Sequence, residues 1–264
     1  MTSSNTGGPT RTYGLVNPLM MVLGDFVKDS GRLLRSLYQQ RRLRVGSNVR
    51  VAHDVSFFGK GSVILGDDVI IGKGVVFRAS EGSVIEIGPN SRISASSYLE
   101  AAEGQLIRAG RQFNLGPRCC IVSKRGAFFG EHCSFGEDSL VGPREQDGIG
   151  ALFIGANCQF HRYTMIDLCA DVVIGDNVRT GPFCAFYTHN HVAIRGKLIW
   201  DQLPSFAPIS VGSGSWIGHN CCLLPGVSIG DNCTIATGAV VTRDILQWTT
   251  AGGVPARALK TLCP

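Results

Sequence analysis

The chain has 264 residues, among them 34 glycines and 10 cysteines, and carries a formal net charge of +5. Glycine at that level stands well above the usual roughly 7%. Three absences narrow the field: the apolar run 19–23 is too short to span a bilayer, no CxxC pair appears, and no Gly-rich phosphate loop joins a strand to a helix. Membrane-spanning segments, zinc-finger-type sites and nucleoside-triphosphate chemistry are thereby disfavoured. The charge is uneven, with eight Arg/Lys against Asp25 and Asp29 in residues 1–50, so the remainder is nearly neutral. No signal peptide is visible, and no nucleic-acid partner is expected.

Residues 1–12, rich in Ser, Thr, Asn and Gly, read as a disordered tail. Residues 13–44 read as a basic helical cap. Phe26, Leu33, Leu34, Leu37 and Tyr38 share one face, with Lys28, Arg32, Arg35, Arg41 and Arg42 around it. Such a cap would cover the open first coil of a solenoid, and its charge allows peripheral contact with an anionic membrane.

From Val45 onward an aliphatic or aromatic residue recurs in sixes: Val45, Val51, Phe57; then Leu65, Ile71, Phe77; then Ile87, Ile93, Leu99. A short insertion at 79–84 and a looser stretch at 105–126 interrupt it. Phe129, Phe135 and Val141 resume the beat, followed by a polar insertion at 143–150. Ile154, Phe160 and Ile166 come next, then Ile174, Thr180 and Phe186. After a break the period runs clean through Val211, Ile217, Leu223, Ile229, Ile235 and Val241, mostly with a small residue next in line. A period of six is neither helical nor simple alternation; it belongs to hexapeptide β-helix repeats. The reading is an all-β solenoid over 45–245, a left-handed parallel β-helix of about nine triangular coils, followed by a C-terminal tail at 246–264.

Six cysteines (119, 133, 158, 184, 221 and 233) fall four places after the repeat's aliphatic residue, an inward position. They are read as free, buried fillers, which points to a reducing cytoplasm. The break between Tyr187 and Ser210, the loop at about 187–209, is long for a compact domain and therefore a candidate for function. It holds His189, Asn190, His191 and Trp200. In extended backbone His189 and His191 face the same way, so periodicity does not choose between them.

The segments carrying Thr188-His189-Asn190-His191, Pro208-Ile209-Ser210-Val211-Gly212, Trp216-Ile217-Gly218, Leu224-Pro225-Gly226-Val227, Thr237-Gly238-Ala239-Val240-Val241-Thr242-Arg243-Asp244 and Val254-Pro255-Ala256-Arg257 occur in this order. Together they resemble the hexapeptide-repeat acetyltransferases, near the maltose, galactoside and polysaccharide O-acetyltransferases; the likeness covers about a third of the chain. The resemblance implies a homotrimer with acetyl-CoA as donor, no metal, a hydroxylated acceptor and sites between subunits. It favours His189 over His191 as general base. It implies the backbone amide of His219 as oxyanion donor, although smaller residues are commoner there, and leaves the His219 side chain unexplained. By the same resemblance Trp216 and Gly218 flank the donor, Thr237 and Thr242 bond the pantetheine amides, and Arg243, Arg257 and Lys260 meet the phosphates. Acceptor contacts are expected in the loop, at Asn190, His191 and Trp200, and around Asp167 to Thr180.

The expected activity is O-acetylation of a sugar or glycan hydroxyl at the inner face of the membrane. Alternatives are an antibiotic O-acetyltransferase, an amino-sugar N-acetyltransferase and a non-enzymatic prism. A zinc hydratase on the same prism is disfavoured. His53, His132, His161 and His219 fall at places two, three, one and two of their sixes and form no uniform ligand row.

Overall fold

The structure, a computed structural model, describes residues 42–198 and 201–261. Short strands pair in parallel, each with the strand one coil further on. Val63 lies between Leu43 and Ile85 in a first sheet, Ile71 beside Val51 in a second, and Phe77 beside Phe57 in a third. Among the described residues the three sheets contain nine, eleven and nine strands, and there is no α-helix. They are the faces of a triangular prism of about nine coils.

Side chains alternate out and in along each strand, so every coil contributes one or two apolar groups per face to a continuous core. The third face stacks Phe77, Leu99, Ile121, Ile166 and Phe186, all essentially buried. Phe135 and Phe160 stack at 4.6 Å on the second. Burial of each such side chain is worth about 1.5–3 kcal/mol. At the corner between the first and second faces, Asn48, Asn90, Asn157, Asn177 and Asn232 hold φ of 54–58°, a left-handed conformation that asparagine tolerates. The small residue after each aliphatic one is required by close stacking rather than by φ. A Cβ on Gly88 would lie 2.5 Å from the Gly110 carbonyl carbon of the next coil.

The six inward cysteines are buried, and the nine described cysteines are free. Each inward thiol lies near a carbonyl of the next coil, as Cys133 does to Gly155 O at 3.0 Å and Cys184 to Gly218 O at 3.0 Å. A thiol therefore fills space and satisfies a backbone acceptor at once.

Several expected boundaries change. The first strand is Leu43–Val45, so the solenoid begins two residues before Val45 and the cap does not reach residue 44. The rest of that cap and the 1–12 tail lie outside the described residues, as do Trp200 and residues 262–264. The 79–84 insertion lengthens the strands on either side of a turn: Val76–Ala79 and Val84–Ile87 run four residues each, with Ala79 and Ile85 turned inward and buried. The stretch 105–126 is a regular coil, led by Ala109 and carrying Phe113 inside. Within the expected tail, residues 249–261 form a hairpin. Thr249–Gly253 extends the second sheet beside Thr234–Ile235, and Ala256–Thr261 folds back antiparallel on it.

Candidate active site

The interval between first-sheet strands is about 20 residues where Val172 follows Leu152, but 37 where Ile209 follows Val172. The surplus leaves the third sheet after Ala185–Phe186 and forms a short antiparallel ribbon, His189–Asn190 against Ser205–Phe206. Val192, Ile194, Leu198 and Leu203 beyond it are exposed. An apolar loop standing in water signals a covering surface.

His189 sits at the foot of this ribbon with 13% of its side chain exposed. Its Nδ1 lies 2.7 Å from Oδ2 of Asp167, a fully buried carboxylate one coil earlier. The same oxygen accepts from the Thr188 amide at 3.0 Å and the Thr188 hydroxyl at 2.9 Å. Oδ1 accepts from the amides of Arg144 at 3.1 Å and Cys169 at 3.2 Å. Burial by itself would raise the Asp167 carboxyl. The hydrogen bonds from Cys169, His189 and Thr188 outweigh it and hold the carboxyl below its ordinary value. An ionised acceptor-only carboxylate at Nδ1 places the proton there and leaves Nε2 with its lone pair.

Glu145, from the polar insertion at 143–150, lies with Oε1 3.7 Å from Nε2 of both His189 and His191. These three side chains bring one donor atom each within 4.8 Å of one another, as do Asp167, Cys169 and His189. Two histidines and a carboxylate, one histidine held from behind by a buried acid, form a donor set that fits a divalent ion. The Cys169 thiol is pushed up to about 11, by burial first and by Asp167 second, which keeps it protonated.

Trp216, Gly218, His219 and Thr237 come together on a different edge, where the chain turns from the second face to the third. A Cβ on Gly218 would lie 2.6 Å from the Thr237 amide nitrogen, and Gly238 N donates to His219 O at 2.8 Å. Ala251 pairs with Ile235, so the hairpin bearing Arg257 and Lys260 runs on toward the same edge. Glu137, His161, Arg162, Pro182, Trp216 and His219 are among the walls of a cleft of about 440 Å³ there.

The expected site residues thus divide between two edges of the prism. Trp216, Gly218, His219, Thr237, Arg257 and Lys260 belong to one. His189, Asn190, His191, Thr242 and Arg243 belong to the other, since Thr242 and Arg243 leave the third face as Tyr187 does, two coils further on. Asp167, expected among acceptor contacts, is instead sealed in the interior and bound to His189. Glu145 and the anchoring role of Thr188 were not foreseen. The available signal was a lone acid in the apolar run Met165-Ile166-Asp167-Leu168, because an acid at such a place must have partners.

The family described as bacterial transferase hexapeptide (six repeats) matches residues 208–243. Galactoside O-acetyltransferase of Escherichia coli (strain K12) is 33% identical over 145 residues, covering 53% of this chain and 70% of that protein. A chloramphenicol acetyltransferase of Morganella morganii is 31% identical over 121 residues, 46% of this chain and 50% of that one. A galactoside acetyltransferase solved in complex with coenzyme A aligns over 42% of this chain and 56% of that chain at 33% identity, with a TM-score of 0.39. From the repeat, the ordered motifs and the galactoside O-acetyltransferase relative, the chain belongs to the hexapeptide-repeat acetyltransferases and is an acyltransferase.

Proposed function

We propose that the protein transfers acetyl from acetyl-CoA to a hydroxyl of a sugar or glycan, with His189 as general base. The observation that carries this reading is the 2.7 Å contact of His189 Nδ1 with buried Asp167, which orients the ring and leaves Nε2 to face the acceptor. The acceptor hydroxyl gives its proton to Nε2 as its oxygen attacks the thioester carbonyl. The carbonyl oxygen, now negative, meets the backbone N–H of His219 beside Gly218. Collapse breaks the carbon–sulfur bond, forms the ester, and returns the proton from Nε2 to the departing thiolate of CoA. Trp216 and Thr237 line the donor's path, with Arg257 and Lys260 toward its phosphates and Asn190 and His191 toward the acceptor.

The base and the donor edge lie on two corners of one prism, with the core between them. A site needing both is completed by a second copy, and three copies in a ring close such a head-to-tail contact. Thr242 and Arg243 then reach CoA from the His189 side. The exposed loop of one copy covers its neighbour. Six free inward thiols favour a reducing compartment, the cytoplasm, with the basic segment that precedes Leu43 as a membrane-facing element.

Thiol release from acetyl-CoA with a panel of sugar acceptors tests the assignment. His189→Ala is expected to lower turnover by about 10²–10⁴-fold, and unchanged turnover removes His189 from the mechanism. Metal analysis supplies a second check. Stoichiometric zinc lost on His191→Ala would engage Nε2 as a ligand and displace the base reading.

A further inference from the structure

In every coil but the first, the turn from the second face to the third places one residue in the left-handed backbone region. Ser96, Arg118, Asp138 and Gly238 hold φ of 58°, 56°, 58° and 74°. On two successive coils the occupants are instead Tyr163 at 58° and Phe183 at 62°. Bulky side chains in this region are genuine outliers, and strain of this kind concentrates at functional positions. Packing does not account for them: Tyr163 and Phe183 remain 42% and 51% exposed. Their rings stack at 4.7 Å and 10°, so one ring hides a face of the other while the outer faces stay open. Trp248 also has positive φ, but it stands on the other corner, at the last coil.

The pair is continuous with the donor edge. Phe183 N donates to Arg162 O at 3.1 Å and Asn220 N to Pro182 O at 2.9 Å, so Tyr163, Phe183 and Asn220 follow one another coil by coil. At about 4.8 Å per coil, the two rings lie about 5 and 10 Å along the axis from the Gly218–His219 turn. Arg162 and Pro182, the residues immediately before the rings, are walls of the 440 Å³ cleft, a volume in the range of small-molecule sites. Beside the apolar wall of Trp216 and Pro182 it carries polar groups: Glu137 and Arg162 face each other at 3.6 Å, and His161 and His219 add donors and acceptors.

An apolar aromatic surface beside convergent hydrogen-bonding groups has the chemistry of a sugar ring. One face of a pyranose presents C–H groups, slightly positive and suited to the negative face of an aromatic ring, and its rim presents hydroxyls. We propose that Tyr163 and Phe183 form a stacking platform for a pyranose ring of the acceptor, whose hydroxyls bond Glu137, His161, Arg162 and His219. This deepens the glycan reading of the preceding section and rests on it. It also gives the His219 side chain a role apart from its amide, and it makes the coils before the active site an acceptor groove.

The test uses the full-length protein, acetyl-CoA, and methyl glycosides with their di- and trisaccharide homologues. Phe183→Asn and Tyr163→Asn place at each corner a residue that accepts left-handed backbone, so both are expected to fold with a melting temperature equal to or above that of the original. The expected result is a rise of about tenfold or more in KM for the sugar, larger in the double variant, with CoA affinity by calorimetry and the oligomeric mass unchanged. Sugar KM values unchanged in both variants overturn the platform while leaving the glycan reading intact. A change of oligomeric mass also overturns it, making the pair a contact between copies. If the original protein acetylates none of the sugars, the glycan reading falls and the platform with it.

Discussion

The proposed base, His189, is held by a residue with no access to solvent. Asp167 is anionic in the interior because five donors converge on it, and its one contact with a titratable base is with His189 Nδ1. Asp167→Asn keeps the shape but presents an amide that can donate, favouring the tautomer with Nδ1 unprotonated and Nε2 blocked by a proton. Turnover is expected to fall by about 10²-fold or more, with KM for acetyl-CoA unchanged, as steady-state kinetics would show. The same carboxylate affects stability. Its folded-state value lies below the ordinary one, so its contribution is fully present above about pH 4 and is lost as pH falls through the folded value. Thermal midpoints of the original protein and Asp167→Asn are therefore expected to differ at pH 7 and converge in acid. A constant difference across pH would show that the carboxylate is not ionised in the fold.

At the scale of elements, two departures from the repeat build the site together. The segment 143–150 lies flat against the following coil because glycines let it. Gly150 N donates to Leu168 O at 2.8 Å, and a Cβ on Gly150 would lie 2.0 Å from Ala170 O. The Arg144 amide thereby reaches Asp167, and Glu145 reaches both histidines. Gly150→Ala must lift this segment away. The expected outcome is a loss of about 1–3 kcal/mol of stability and a fall in turnover, with CoA binding retained, measured by denaturant unfolding and calorimetry. The inward thiols belong to this scale as well. Burial pushes the Cys119 thiol up to about 11, so alkylation of native protein near pH 8 is expected to spare it until the solenoid unfolds.

For the whole molecule, the separation of His189 from the donor edge makes a strong demand. Chains carrying His189→Ala and chains carrying Arg257→Glu are each expected to be nearly inactive alone. Co-expressed, they should recover part of the activity, because some interfaces pair an intact base with an intact donor edge. No recovery in a verified mixed assembly would place both halves of the site in one chain. The solenoid itself is stabilised coil upon coil, so the N-terminal coils can widen into four-residue strands without disturbing the active edge.

The period of six determined the fold, because an inward position every six residues is a demand each coil meets locally. It hid only where the inward residue was small or unexpected, as at Ala109 and Phe113. The long break marked His189, and the ordered motifs marked the residues proposed for the donor, since both are features of chain order. Asp167, Glu145 and the Tyr163–Phe183 pair were not legible in the same way. Asp167 stands 22 residues before His189 and Glu145 stands 44 before it. They meet His189 only because successive coils stack in a register that insertions and widened strands shift. Which edge each residue occupies, and hence that the proposed base and the proposed donor residues stand apart on one prism, was decided by that stacking alone.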